Sequence, residues 1–113
     1  MEVYKIEVSS IWEEAVRAGI YTGSPDDVRD GFIHLSTAEQ AVGTAHKHFA
    51  GRDGLIVLAF DATTLGSALR WEPSRGGALF PHLHGTLDPS LALWSKPMPL
   101  GTDGIPQVPD LEN

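Results

Sequence analysis

Along residues 3–8, Val3, Lys5 and Glu7 alternate with Tyr4, Ile6 and Val8, and the second set is wholly apolar. A period of two with one apolar side is the pattern of a strand that buries a single face, so a first strand is predicted here with Lys5 and Glu7 on its polar side. At Ser10 the period becomes helical. Ile11, Trp12, Ala15 and Val16 form a stripe, Glu13 stands where the second half of a capping box belongs, and Gly19 supplies the stop. The segment TGSPDDVRDG carries two glycines, a proline and three aspartates and interrupts both periods. It reads as a long ordered loop, or a loop with one turn of helix, of the kind that borders a site.

In Phe32–Ser36 the alternation returns, with Phe32, His34 and Ser36 on one side and Ile33 and Leu35 on the other. Thr37 and Gln40 then have capping-box spacing, and Ala38, Ala41, Val42, Ala45 and Phe49 recur at helical intervals up to Gly51. GRDG turns the chain into LIVLAF, residues 55–60, an unbroken apolar run of the type found in a central strand covered on both faces. DATTLGSAL predicts a capped turn or short helix, and RWE, ALFPHLHG and LALWSKP predict short strands. Residues 97–113, with Pro97, Pro99, Pro106 and Pro109, are expected to form a Pro-rich extended surface tail. The pattern as a whole predicts one α+β domain over residues 1–113. Its centre is a bent, mostly antiparallel split sheet of about six strands, flanked by helices near residues 10–18 and 37–49. Ile6, Trp12, Ile33, Leu35, Val42, Phe49, Ile56, Leu58 and Leu83 are the expected core.

Composition narrows the function classes. A chain of 113 residues has room for one core, and 42% hydrophobic with 20% charged residues is the balance of a folded globule. Eight Lys and Arg against 15 Asp and Glu give a net charge of −7, which argues against general affinity for nucleic acid or an anionic membrane surface. Any anionic ligand must find a local cluster of donors. There is no cysteine, hence neither a disulfide framework nor a thiolate metal site, and a cytoplasmic setting is expected. The first ten residues lack a signal-type apolar stretch, and LIVLAF is far too short to span a bilayer. The chain also lacks a Walker loop, a Gly-x-Ser-x-Gly elbow and a His-Glu-x-x-His pattern, so the classes built on those motifs drop out. The oligomeric state is left open.

Four groups of residues carry candidate chemistry. His34, Ser36 and Thr37 lie where a strand hands over to a helix whose first amides are unpaired, a geometry suited to phosphate; the alternative is a plain cap with a hydrogen-bonded histidine beside it. His82 and His84, two apart in FPHLHG, share a face if the segment is extended and would line a ligand cleft; a zinc site would need His34 or Glu72 as well, and no metal is expected. Glu72, before Pro73, can serve as a base or orient a hydroxyl, or it can pair with Arg70 or Arg75. Lys5, His46 and His48 are the remaining anion donors, with His46 read as solvated. The assignment is catalytic for His34, Glu72 and His82, and ligand-binding for Lys5, Ser36, Thr37 and His84. His34 and His82 are expected to line the main pocket together.

In their order and spacing, VYKI, Trp12, DGFIHLST, LRWE and FPHLHG resemble the small bacterial family known as domain of unknown function 952, across nearly the whole chain. Where this chain has His84, that family usually shows Tyr. The run FIHLSTAEQAVGTAHKHFAGRDGLIVLAFDATTL also resembles the middle of the ADP-ribosyltransferase and RNA 2'-phosphotransferase superfamily, over about the central third of the chain. That likeness implies a split, bent β-sandwich with a cleft for NAD or an ADP-ribose-like nucleotide, and transfer or hydrolysis at such a nucleotide. The non-catalytic alternative is a nucleotide or small-ligand binding module. His34 and Ser36 fall on the matching strand, and Lys5 on the position of the superfamily's first-strand His or Arg. Ile6 and Glu7 replace the Gly-Thr that follows there, and Glu72 would have to supply the transferase glutamate.

Overall fold

The computed structural model describes residues 1–111, apart from the side chain of Arg75. Six strands and four α-helices follow one another as β1 (Glu2–Val8), α1 (Ser9–Ala18), α2 (Pro25–Asp30), β2 (Ile33–His34), α3 (Ala38–Phe49), β3 (Leu55–Asp61), α4 (Ala62–Leu65), β4 (Leu69–Pro73), β5 (Leu79–Leu83) and β6 (Trp94–Met98). The strands form two separate antiparallel sheets of three, in the orders β1-β3-β6 and β2-β5-β4. LIVLAF is the centre of the first sheet, as its apolar run predicts, and FPHLHG supplies the centre of the second.

The split has a local cause in the segment from residue 32 to 36. Ile33 and His34 pair with Leu83 and His82 of the second sheet. Two residues later Ser36 exchanges both backbone hydrogen bonds with Tyr4 of the first, at 2.8 and 2.9 Å. One short stretch therefore crosses from sheet to sheet, and a cleft opens on the polar side of the crossing. The predicted phase holds: Ile33 and Leu35 are buried in the apolar core, while Phe32 and His34 on the other side are half-buried.

One core lies between the sheets, built on Val3, Trp12, Tyr21, Ile33, Leu58, Phe60 and Leu83. A second lies on the far side of the first sheet, where Tyr4, Ile6, Val57 and Ala59 meet Ala41 and Ala45 of α3. Strand β1 is thus covered on both faces, which corrects the single buried face predicted from its alternation: Lys5 is 4% and Glu7 2% exposed. The second sheet and α2 lie over what the alternation marks as the polar side.

Three further expectations change. Helix α1 begins at Ser9, not Ser10, and has no side-chain cap; the Ser9 amide instead donates to the Gly54 carbonyl at 2.8 Å, so β1 runs directly into the helix. Gly19 does end it, in the left-handed region at φ 75°. Val16 is 55% exposed, α1 burying Trp12 and Ala15 instead, and Val42 is 53% exposed, because α3 packs through the small residues Ala41 and Ala45, which bring its backbone close to the sheet and turn Val42 outward. Phe49 and Ile56 are half-buried rather than fully buried. The Pro-rich end, expected as an extended surface tail, does not lie wholly on the surface over its described length. Pro97 and Met98 belong to β6, Pro106 and Leu111 are buried, and Lys96 Nζ donates to the Asp110 carbonyl at 2.7 Å. Residues 112 and 113 lie outside the described residues. Among the described residues no helix is long and apolar enough to cross a membrane.

Candidate functional site

The cleft where the sheets diverge encloses about 190 Å³. Its walls come from Tyr4, Lys5 and Ile6 of β1, Asp26, Asp27, Arg29 and Asp30 of α2, His34, Ser36, Thr44 and His48, and Phe80 and His82 of β5. Helix α2 has strong local reasons to form. Ser24 caps it, Pro25 occupies the first turn, and Asp27 closes a capping box by accepting from the Ser24 amide at 2.9 Å. Gly23 is required just before it. Its φ is +108°, and a Cβ there would lie 2.7 Å from that of Asp27.

Asp27 is the hub of the site. It is 2% exposed, and its carboxylate accepts from Lys5 Nζ at 2.7 Å, from His34 Nδ1 at 2.6 Å, and from the amides of Ser24 and His34 at 2.9 and 3.1 Å. Burial by itself would raise its pKa. The His34 hydrogen bond, then the charge and hydrogen bond of Lys5 and the Ser24 amide, outweigh burial and hold the carboxyl well below the usual range. An ionised Asp27 only accepts, so His34 Nδ1 carries the hydrogen and Nε2 is turned toward the cleft mouth, 3.0 Å from Asp30 Oδ2. Behind Asp27, the hydroxyl of buried Tyr21 donates to Glu7; burial first, and the Glu7 charge second, push that phenol far above its ordinary pKa.

A second carboxylate–imidazole unit stands on the register partner of His34. His82 pairs with His34 across β2 and β5, and its Nδ1 lies 2.8 Å from Glu72 Oε1; His84 Nε2 lies 2.7 Å from the same oxygen. Hydrogen bonds from His84 and then His82 lower the pKa of Glu72. Burial lowers that of His82, against the opposing pull of Glu72. The two directions agree on an ionised carboxylate that receives N–H from a neutral His82, whose Nε2 keeps a lone pair. Among the described residues that nitrogen has no hydrogen-bond partner. Phe32 packs against all three imidazoles, stacked on His82 at 4.1 Å and lying 4.6 Å from His34 and 5.2 Å from His84.

Of the residues singled out from sequence, Lys5, His34, Ser36, His48 and His82 line this one cleft. Glu72 and His84 stand behind His82 and do not line it. Lys5 Nζ donates to Asp27 and, at 3.1 Å, to the His34 carbonyl, two of its three N–H groups. Ser36 and Thr37, expected at the anion-binding wall, have internal partners. The Ser36 amide donates to Tyr4, its hydroxyl lies 3.0 Å from Thr44 Oγ1, and Thr37 and Gln40 form the capping box that their spacing predicts. Glu72 pairs with His82 and His84, and among the described residues not with Arg70; the alternative pairing with Arg75 falls on a side chain outside the described part. Among the described residues no group of three or more His, Asp or Glu is arranged to hold a metal ion. Asp27, Arg29 and Asp30 are the residues that sequence reasoning misses. The Ser-Pro-Asp-Asp spacing of a capping box is the signal that could have found Asp27.

Low pH works against this site, and the sign follows from each group. Asp27 and Glu72 have lowered folded pKa values, so their contribution is complete above the ordinary carboxylate range, about pH 4, and is lost as pH falls toward the folded values. His82 prefers to be neutral when folded, so protonation below about pH 6.5 also favours the unfolded chain. The thermal midpoint is expected to fall from pH 7 to pH 5 and more steeply between pH 4 and pH 3. A midpoint that is level or rising on acidification would show that these pairs do not hold the fold.

Fold and site together define a small single-domain α+β protein: two antiparallel sheets meet at a cleft walled by histidines and carboxylates. The chain belongs to the family described as Protein of unknown function (DUF952), which matches residues 6–94. It is similar to protein CC0527 from Caulobacter crescentus. The X-ray crystal structure of that protein is 46% identical with a TM-score of 0.91, over 95% of this chain and 94% of that one. A crystal structure of its double methionine mutant is 45% identical, with the same TM-score and coverage. The solution NMR structure is 46% identical with a TM-score of 0.84, over 94% and 91% of the two chains. No curated protein matches the chain.

Proposed function

We propose that the cleft binds a small phosphorylated or ADP-ribose-like nucleotide and catalyses transfer or hydrolysis on it, in a chain distantly akin to the ADP-ribosyltransferases and RNA 2'-phosphotransferases. One observation carries the reading. His34 and His82 are register partners with ring centroids 5.6 Å apart, each has its Nδ1 on a carboxylate, and both line the same cavity. A carboxylate on Nδ1 fixes the tautomer and supports the charge that forms when Nε2 takes up a proton. His82 then accepts the proton of the attacking water or hydroxyl, Glu72 stabilises the resulting imidazolium, and His34 holds the phosphate or ribose and protonates the departing oxygen. Lys5 and Asp27 are positioning residues for His34. The two sheets with a cleft between them, and Lys5 and His34 on its walls, support the kinship.

A second reading, a binding module without chemistry, is favoured by the Asp30 carboxylate 3.0 Å from His34 Nε2, where a leaving oxygen would have to sit. Calorimetric titration with NAD, ADP-ribose and 2'-phosphorylated RNA, followed by product analysis, separates the two. Binding with turnover of one of them is the expected result. Binding without product leaves the module, and no binding of any of the three sinks both readings.

A further inference from the structure

We propose that Asp30 is an internal substitute for a phosphate group, and that the ligand enters by displacing its carboxylate from a seat built by Arg29 and His34. The inference rests on the cleft reading above and names the part of the ligand that the seat recognises. Asp30 Oδ1 lies 3.0 Å from Arg29 Nε, and Oδ2 lies 3.4 Å from Arg29 Nη2 and 3.0 Å from His34 Nε2. Three nitrogens thus converge on one carboxylate: two as the guanidinium fork that matches the oxygens of a carboxylate or phosphate, and His34 Nε2, which donates when the imidazole carries both protons. The same three positions suit a phosphate monoester.

The other acidic side chains at the cleft pair elsewhere. Asp27 is 1% exposed at its side chain and tied to Lys5 and His34, whereas Asp26 meets Arg29 Nη1 at 3.3 Å in a solvent-exposed pair. Asp30 is built to leave: its side chain is 34% exposed, and it is the last residue of α2, before Gly31 in the left-handed conformation. Its departure also removes the excess negative charge. The cleft is lined by Lys5 and Arg29 against Asp26, Asp27 and Asp30, so two cations face three carboxylates until Asp30 swings out to water. Such a contact keeps the seat closed to neutral ligands, which have no group that can replace a carboxylate on the fork.

The test is titration of inorganic phosphate, AMP and adenosine into the wild type, Asp30→Ala and the Arg29→Ala/Asp30→Ala double variant, followed by histidine nitrogen NMR. Removing an internal competitor raises apparent affinity by the reciprocal of the fraction of seats it leaves open, so with about one seat in ten open in the wild type, Asp30→Ala should bind phosphate about tenfold more tightly. The His34 Nε2 signal should move on binding, and the double variant should lose the gain. AMP binding far better than adenosine places the recognised group at the phosphate; AMP no better than phosphate shows the seat alone is read. Equal phosphate affinity in wild type and Asp30→Ala, or a gain that survives Arg29→Ala, overturns the proposal. Nucleotide turnover with no effect of Asp30→Ala on phosphate binding defeats this inference and leaves the proposed function. A tenfold gain with no turnover of any nucleotide does the reverse.

Discussion

Asp27→Ala is expected to destabilise the fold by about 3–5 kcal/mol, the loss typical of breaking a buried ion pair from one side. A domain of this size has about 5–15 kcal/mol in total, so the variant should be largely unfolded on mild warming. The reason lies on β1: Lys5 is 4% exposed, its ammonium has Asp27 as its only ion-pair partner among the described residues, and removing the carboxylate leaves a buried charge facing a carbonyl. The His34 amide and ring lose their acceptor in the same step. Urea unfolding of Asp27→Ala and of Lys5→Met/Asp27→Ala separates charge burial from lost packing. The double variant should regain most of the stability, because an apolar side chain of similar length needs no partner there. A single variant that loses less than about 1 kcal/mol, the ordinary range for a surface change, would show that the Asp27 network is not what holds α2 to the sheet.

His82→Gln should slow turnover of whichever nucleotide the protein converts by about 10²- to 10⁴-fold, the usual contribution of a positioned general base. Affinity for that nucleotide should change little, since the loss falls on the proton-transfer step. His34→Ala should behave in the opposite sense. It removes the ring that faces the Arg29 seat, so binding is lost, and it strips the buried Asp27 carboxylate of a 2.6 Å hydrogen bond. The stability cost should be about 1.5–3 kcal/mol, smaller than that of Asp27→Ala because the Lys5 and amide partners of Asp27 stay in place. Full turnover in His82→Gln removes it as the base, and a His34→Ala protein that unfolds but retains affinity would make His34 structural.

What the sequence alone determined is what short spacings encode. Alternation from Phe32 to Ser36 placed Ile33 and Leu35 in the core and His34 on the open side, Thr37 and Gln40 marked the start of α3, Gly19 marked the end of α1, and the apolar run of LIVLAF made it a central strand. Each of these depends on neighbours two to four residues away, where backbone geometry leaves few choices. His34 and His82 do line one cleft, but His82 is 4% exposed, and only the pairing of β2 with β5 brings the two rings together. The tertiary structure decided whatever depends on which surface lies opposite. Lys5 and Glu7 have the spacing of a solvated face and are buried because α2 and the second sheet cover it. Val42 has the spacing of a core residue and is exposed because two alanines make the contact. Thr37 was free to bind an anion on paper and is occupied by Gln40 in the fold. Asp27 joins Lys5 from 22 positions away and His34 from seven, and no local period relates them; a buried ammonium needs a carboxylate, and the chain path brings Asp27 to it.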